Sequence, residues 1–260
     1  MENEKLSFFT AHIISRHAGK VMSSFTLIPL TVGDDPSKAH CLLDSLRKYG
    51  HSECCVLGAG EPWRGGTMAG PGGGQKINLM KRFLNGREFA NTDLILFSDG
   101  YDTSVCGTPA EFIRKWRWFQ ADVVFGAESV NWPGQCTQQP QDVPGRFKFL
   151  NSGGYIGRAV VLKEMFNSRD IADHEDDQLF CQELYSSGRW SIKLDNKKDI
   201  FCCLSDHVNA RQEDAVKNVG PGSFSGSGRE IYYVPETRNY PLQLHGNGVA
   251  KNVWLRLIGQ

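Results

Sequence analysis

The chain has 260 residues, 40% of them hydrophobic and 22% charged, with 29 basic and 29 acidic side chains that cancel to a net charge of zero. This is the make-up of a globular protein long enough to bury a sizeable core. The balance of charge speaks against a mainly electrostatic partner such as bulk nucleic acid or an anionic membrane. No run of the sequence approaches the roughly 18 apolar residues that a membrane-spanning helix needs. The first 20 residues carry Glu2, Glu4, His12, Arg16 and His17 among their apolar side chains and lack the uninterrupted core of a secretory signal. The expectation from this stretch is a cytoplasmic protein, unless the sequence is truncated.

Residues 1–24 show no clear element and are expected to form an arm. The run 25–32 predicts a first strand, in which Pro29 suggests an edge position or irregular pairing. Asp34, Asp35 and Pro36 form a helix start, and the helix runs to Tyr49 with Leu42, Leu43 and Leu46 on one face. A second strand follows at 54–57, so the opening unit is strand–helix–strand and favours a parallel sheet. The loop 58–74 is long for a compact domain and holds Trp63 and Arg64, which points to function. Its glycines 72–74 open a helix from Gln75 to Phe89, whose first N–H groups are expected to meet an anion. The ending of a P-loop is absent.

Leu94 to Phe97 reads as a short buried strand that stops at Ser98-Asp99-Gly100-Tyr101-Asp102. Two carboxylates three positions apart, at the carboxyl edge of a sheet, suit a divalent cation that also holds phosphates. We read this stretch as a metal–diphosphate site. A helix over 108–119, a strand over 122–127 and a strand over 150–157 come next. The second of these strands contains Gly153 and Gly154, which mark close approach by another backbone or a ligand. After the first of them come Glu128 and Asn131-Trp132-Pro133, again an aromatic placed after a strand.

A helix over 159–166 precedes another that opens at His174. Asp176 and Asp177 fall in its first turn, where the helix dipole alone accounts for acids. Short strands are expected at 191–194, 200–204, 231–234 and 241–244, with a glycine- and serine-rich loop over 218–228. The last strand runs into His245-Gly246-Asn247-Gly248 and then Lys251, a grouping suited to a metal and a phosphate. The eight cysteines include the adjacent pairs 54–55 and 202–203 in apolar runs and no Cys-x-x-Cys, which suits buried free thiols better than disulfides or zinc.

Taken together, Glu61-Pro62-Trp63-Arg64-Gly65-Gly66, the 72–76 run, Asp99/Asp102, Glu128 to Pro133, Phe149 to Gly154, Asp176 to Phe180 and His245 to Lys251 resemble the glycosyltransferase domain of the procollagen lysyl hydroxylases. The resemblance covers most of residues 25–258. It implies an α/β fold of the GT-A type, Rossmann-like, with a central mostly parallel sheet flanked by helices, as a single domain over 25–260. It also implies transfer of glucose or galactose from UDP to an acceptor hydroxyl with Mn²⁺, or Mg²⁺ in its place. The metal ligands it implies are Asp99, Asp102 and His245. The donor-binding residues are Thr31, Trp63, Lys76, Tyr101, Asn247, Gly248 and Lys251. The catalytic residues are Asp176 and Asp177, with Trp132 by the sugar and acceptor. Hydroxylysine or galactosyl-hydroxylysine of a collagen-like peptide is the implied acceptor.

Two departures from the family pattern, Leu79 and the His174-Glu175 pair, bear on acceptor choice. Two alternatives stay open: the same chemistry on a small glycan or hydroxymethylated nucleobase, and a module that binds a UDP-sugar without turnover.

Overall fold

A computed structural model describes residues 24–67, 70–134, 145–220 and 229–260. The arm expected over 1–24 falls outside them except for its last residue, and the loop expected over 218–228 falls outside from 221 on. The first half of the chain gives β1 (Thr26–Val32), α1 (His40–Lys48), β2 (Cys55–Leu57), α2 (Gly74–Asn85), β3 (Asp93–Ser98), β4 (Thr103–Val105), α3 (Pro109–Trp118) and β5 (Val123–Glu128). The second half gives β6 (Phe149–Arg158), α4 (Ala159–Asn167), α5 (Asp177–Ser186), β7 (Ile192–Asp195), β8 (Phe201–Cys203), β9 (Lys217–Asn218), β10 (Tyr232–Tyr233), β11 (Gln243–His245) and α6 (Lys251–Leu257).

The central sheet has the order β2-β1-β3-β6-β5-β7. The pairings of β1 with β2 and β3, and of β5 with β7, are parallel, while β6 runs antiparallel to β3 and β5. Alternation along β3 explains the layers, because successive side chains leave a strand on opposite faces. Leu94 and Leu96 enter one core with Leu42 and Phe112 of α1 and α3, whereas Ile95 and Phe97 enter the other with Met80 and Phe166 of α2 and α4. A strand buried on both faces has to be apolar throughout, which is why β3 and β5 were legible as continuous runs.

Local chemistry sets the ends of the elements. Thr108 and Glu111 form a reciprocal capping box that starts α3, with Pro109 behind the cap. Gly86 closes α2, so the helix stops short of the expected Phe89. Of the two alternatives at Pro29 the structure has irregular pairing inside the sheet and not an edge strand. Pro29 pairs with Leu96 of β3, and β2 flanks only residues 30–32 of β1, so the proline sits where no second neighbour needs its N–H. Strand β4 and helix α6 were not expected from the sequence, since each is too short to show a period.

Strand β11 builds a small second sheet, antiparallel to β4 and parallel to β8. Its register sets His245 opposite Thr103, the residue after Asp102, and the Gly246 N–H donates to the Asp102 carbonyl at 2.7 Å. This pairing brings the C-terminal imidazole to the acids at the end of β3.

Candidate functional site

Beyond β3 the backbone is held on both sides. The Asp99 N–H donates to the Gly153 carbonyl of β6 at 2.9 Å, and the Thr103 hydroxyl closes the turn by donating to the Asp99 carbonyl. The turn faces β11, and one ligand atom from each of Asp99, Asp102 and His245 lies within 4.8 Å of the others. His245 Nε2 is 3.7 Å from Asp99 Oδ2 and 3.5 Å from Asp102 Oδ1. Room for this approach comes from Gly153, where an added Cβ would stand 2.1 Å from His245 Cε1 and 2.8 Å from Asp99 Oδ2. The glycine pair in β6 therefore serves side chains: Gly153 makes way for the acid and imidazole, and Gly154 for Gln243 and Phe201.

Burial works against the charged form of Asp102, and the His245 imidazole outweighs it, holding the carboxyl below its usual range. Burial likewise disfavours the imidazolium of His245, yet Asp102 and Asp99 raise its pKa above the ordinary value. Two carboxylates and one imidazole converging from different elements fit a divalent cation with oxygen and nitrogen preferences, and three protein ligands leave positions open for diphosphate oxygens.

Lys76 joins this group to Asp177. Its Nζ lies 3.0 Å from Asp99 Oδ1 and 2.8 Å from Asp177 Oδ2, and the Ser152 hydroxyl donates to the same Asp177 oxygen at 2.8 Å. Burial disfavours the ammonium, but Asp177 and Asp99 reverse this and hold its pKa above the usual lysine value. Burial pushes the Asp177 carboxyl up, against the pull of Lys76 and Ser152. Asp176 is placed differently. It is the N-cap of α5, accepting from the Leu179 N–H at 2.7 Å and from the Gly72 N–H at 3.2 Å. The two neighbouring acids thus have separate surroundings: Asp176 holds a helix start, while Asp177 points to Lys76.

The N-terminus of α2 does not present free donors to an anion. The Gly74 N–H donates to the Glu175 carbonyl at 2.7 Å and the Gln75 N–H to the Asp173 carbonyl at 3.0 Å, so the glycine run crosses and pairs with the approach to α5. Gly73, at φ +95°, is pressed against this crossing, where a Cβ would stand 2.3 Å from Asp177 Oδ1. The side chain of Gln75 then accepts from the Arg64 N–H and donates to the Pro62 carbonyl at 3.1 Å, which fixes the loop carrying Trp63. The Trp63 indole N–H donates to the Gly66 carbonyl at 2.8 Å, with the ring folded over Gly65.

Tyr101 turns back over Gly33, donating to Asp34 at 2.5 Å and accepting from the Asp35 N–H at 2.9 Å. The Thr31 side chain is fully buried and its hydroxyl donates to the Ser98 carbonyl at 2.7 Å, so it braces the turn from behind and is not open to a ligand. Leu79 is buried, with its side chain against Gly58 at the start of the loop that carries Trp63. His174 and Glu175 are exposed beside the crossing.

On the other side of the acids, Asn247 donates to Glu128 Oε2 at 3.0 Å and accepts from the Ser205 N–H at 3.2 Å. Gly248 and Lys251 are exposed on the turn that follows. Glu128 is the last residue of β5. Its other oxygen accepts from Asn151 at 3.1 Å and from Gln178 at 2.8 Å, and burial pushes its carboxyl up despite these donors. Trp132 is 44% exposed, with its ring open at the surface and its carbonyl held by Gln178 and Gln182. Glu128, Asn151, Ser152, Gln178 and Gln75 all fall within the stretches that carry the family resemblance, but their spacing alone does not show that they meet. A cavity of about 310 Å³, bordered by Phe25, Trp116 and Ser191, opens at the amino end of the strands, and no residue of this site lines it.

The chain has an α/β fold and belongs to a class of glycosyltransferase domains. More narrowly, the chain belongs to the PLOD GT domain family, whose model matches residues 24–259. It is 34% identical over 203 residues to the human multifunctional procollagen lysine hydroxylase and glycosyltransferase LH3, covering 75% of this chain and 26% of that one. It is 30% identical to the Drosophila melanogaster procollagen-lysine,2-oxoglutarate 5-dioxygenase, covering 85% of this chain and 30% of the relative. The chain thus spans about a quarter to a third of the length of these relatives. Among solved structures it is similar to a glycosyltransferase involved in the glycosylation of the major capsid of PBCV-1, at 11% identity and a TM-score of 0.49 over 88% of this chain and 96% of the other. Among the described residues no helix is long and apolar enough to cross a membrane.

Proposed function

We propose that the chain, acting as one unit over residues 25–260, transfers glucose or galactose from UDP to a hydroxyl in a reaction that requires Mn²⁺. We take hydroxylysine or galactosyl-hydroxylysine in a collagen-like peptide as the acceptor, in line with the names of the relatives. The observation that carries the reading is the convergence of Asp99, Asp102 and His245 within 4.8 Å at the carboxyl edge of the sheet, brought about by the β4–β11 pairing.

Breaking a sugar–phosphate bond leaves negative charge on the UDP while the anomeric carbon gains positive charge. A divalent ion held by Asp99, Asp102 and His245 supplies charge stabilisation to the leaving diphosphate. Lys251, Asn247 and Gly248 line the same side, and an ammonium there adds to that stabilisation. Trp63 and Tyr101 flank the place of the uridine, the indole offering its face to a planar base. Of the two acids before Gln178, Asp177 is the one free of a capping role. Its burial suits a carboxyl that holds or takes a proton from the acceptor hydroxyl, or that faces the cationic carbon. Lys76 keeps Asp177 and Asp99 from repelling each other and sets the direction in which each carboxylate points. Trp132 stands where sugar and acceptor meet.

The test is UDP release from UDP-glucose, UDP-galactose and their N-acetylated analogues, with and without Mn²⁺ and a hydroxylysine-containing collagen peptide. The reading expects release from one hexose donor, dependent on the metal and accelerated by the peptide. UDP binding with no release from any donor would instead mark a binding module, and release unchanged by excess chelator would overturn the role of the metal.

A further inference from the structure

Among the described residues, one ion pair is wholly closed to solvent. Lys198 and Asp206 both have 0% side-chain exposure and meet at 2.6 Å. The turn that carries the lysine is built to aim it inward. Asp195 accepts the N–H groups of Asp199, Ile200 and Phe201, and Lys198 itself adopts φ +57°, a conformation uncommon for a residue with a side chain. Inside, the ammonium donates to the Ala127 carbonyl at 2.7 Å and lies 4.0 Å from the centre of the Phe147 ring. The second oxygen of Asp206 accepts from the Ser129 N–H at 2.8 Å and from its hydroxyl at 2.6 Å.

Ala127 and Ser129 are the two neighbours of Glu128 in the chain. The residue before Asp206, Ser205, holds Asn247, which in turn donates to Glu128. Gln178 ties Glu128 to the Trp132 carbonyl, donating to both, at 2.8 Å and 3.1 Å. The ion pair therefore grips the backbone on both sides of Glu128 and anchors the turn that supports Asn247. A buried ion pair gives little stability beyond what a well-packed apolar pair of the same shape gives, so stability alone does not account for this one.

We propose that Lys198 and Asp206 are positioning residues for the transfer step. They touch no reacting atom, and they fix the wall formed by Glu128 and Trp132, on which the acceptor meets the donor sugar. This rests on the glycosyltransferase reading above. The metal group and the Trp63 loop are held by other contacts; of the donor-binding residues Asn247 is joined to the pair, through the Ser205 N–H, and it keeps its bond to Glu128, so donor binding depends on the pair less than the wall does.

The experiment is the full chain carrying both Lys198→Met and Asp206→Leu, compared with wild type in donor and acceptor titrations. The donor KM and Mn²⁺-dependent UDP binding are expected to stay within about twofold, while kcat for transfer to the peptide falls at least about tenfold. A folded double variant with kcat within about twofold of wild type overturns the proposal, as does a donor affinity that falls in step with kcat. Should the double variant not fold, Ser129→Ala decides the matter, since it removes one hydrogen bond to Asp206 and buries no charge. It is expected to lower kcat about threefold or more with the donor KM unchanged, and no change in kcat counts against the pair. Should wild type release no UDP from any donor, the glycosyltransferase reading falls and this proposal with it.

Discussion

Two lysine–aspartate groupings in this molecule use the same chemistry to opposite ends. Lys76 bridges Asp99 and Asp177 with side chains that are 13%, 22% and 11% exposed, at a surface where Asp102 and His245 also arrive. Lys198 and Asp206 are closed off, with every contact made to protein. The open grouping has more acids than the lysine can neutralise and so has capacity left for a cation and a diphosphate. The closed grouping is balanced one for one and can only hold shape. On the proposed reading, function sits where charge is left unmatched at an accessible edge, and rigidity where the match is complete.

The comparison breaks first at the closed pair. Asp206→Ala leaves the Lys198 ammonium buried without its partner, and the expected loss is about 3–5 kcal/mol in a urea titration. A loss below about 1 kcal/mol would mean that water reaches the lysine and the grouping is not closed. At the open grouping the expectation reverses. Asp102→Ala should lower UDP release at least about a hundredfold, near 2.7 kcal/mol in the barrier, with the thermal midpoint of the metal-free protein hardly changed. A variant that unfolds instead would show the acid to be part of the frame.

A third expectation sharpens the contrast through pH. His207, buried beside Lys198 and Arg146, has its pKa depressed by burial from 6.5 to about 4. The folded state then binds fewer protons than the unfolded chain between these two values, so stability falls as pH drops through the window. The loss expected between pH 7 and pH 5 is about 2 kcal/mol, and His207→Phe should remove it in urea titrations at the two pH values. An equal acid dependence in that variant would place the responsible group elsewhere. The smallest effect expected is at Gly153→Ala, where the new methyl crowds His245 and Asp99. Mn²⁺ affinity should fall about tenfold, close to 1.4 kcal/mol, read from the metal-induced thermal shift.

What the sequence disclosed follows the same division. Residues that act close together in the chain were legible: the buried run 94–97 with its two acids, the double glycine of β6, and the imidazole closing β11. The sequence also showed that 72–74 opens a helix, but not that its N–H groups are consumed by the chain before α5, because a backbone crossing has no sequence spacing. For Asp176 and Asp177 the dipole argument covered both alike, whereas the structure assigns the cap to one and the lysine to the other. Glu128, Asn151, Gln178 and Asn247 lie in stretches that carry the family resemblance, but as single polar residues far apart in the chain they do not announce a cluster by their spacing. The Lys198–Asp206 pair was silent for the same reason; in sequence it is one lysine in a charged turn.

The central claim is that the open grouping holds one divalent cation through Asp99 and Asp102 after β3 and His245 near the C-terminus. Calorimetric titration of Mn²⁺ in the presence of UDP measures this directly, in wild type and in His245→Ala. The account predicts a single metal site in wild type that is lost or greatly weakened in the variant; equal affinity in the two proteins would contradict it.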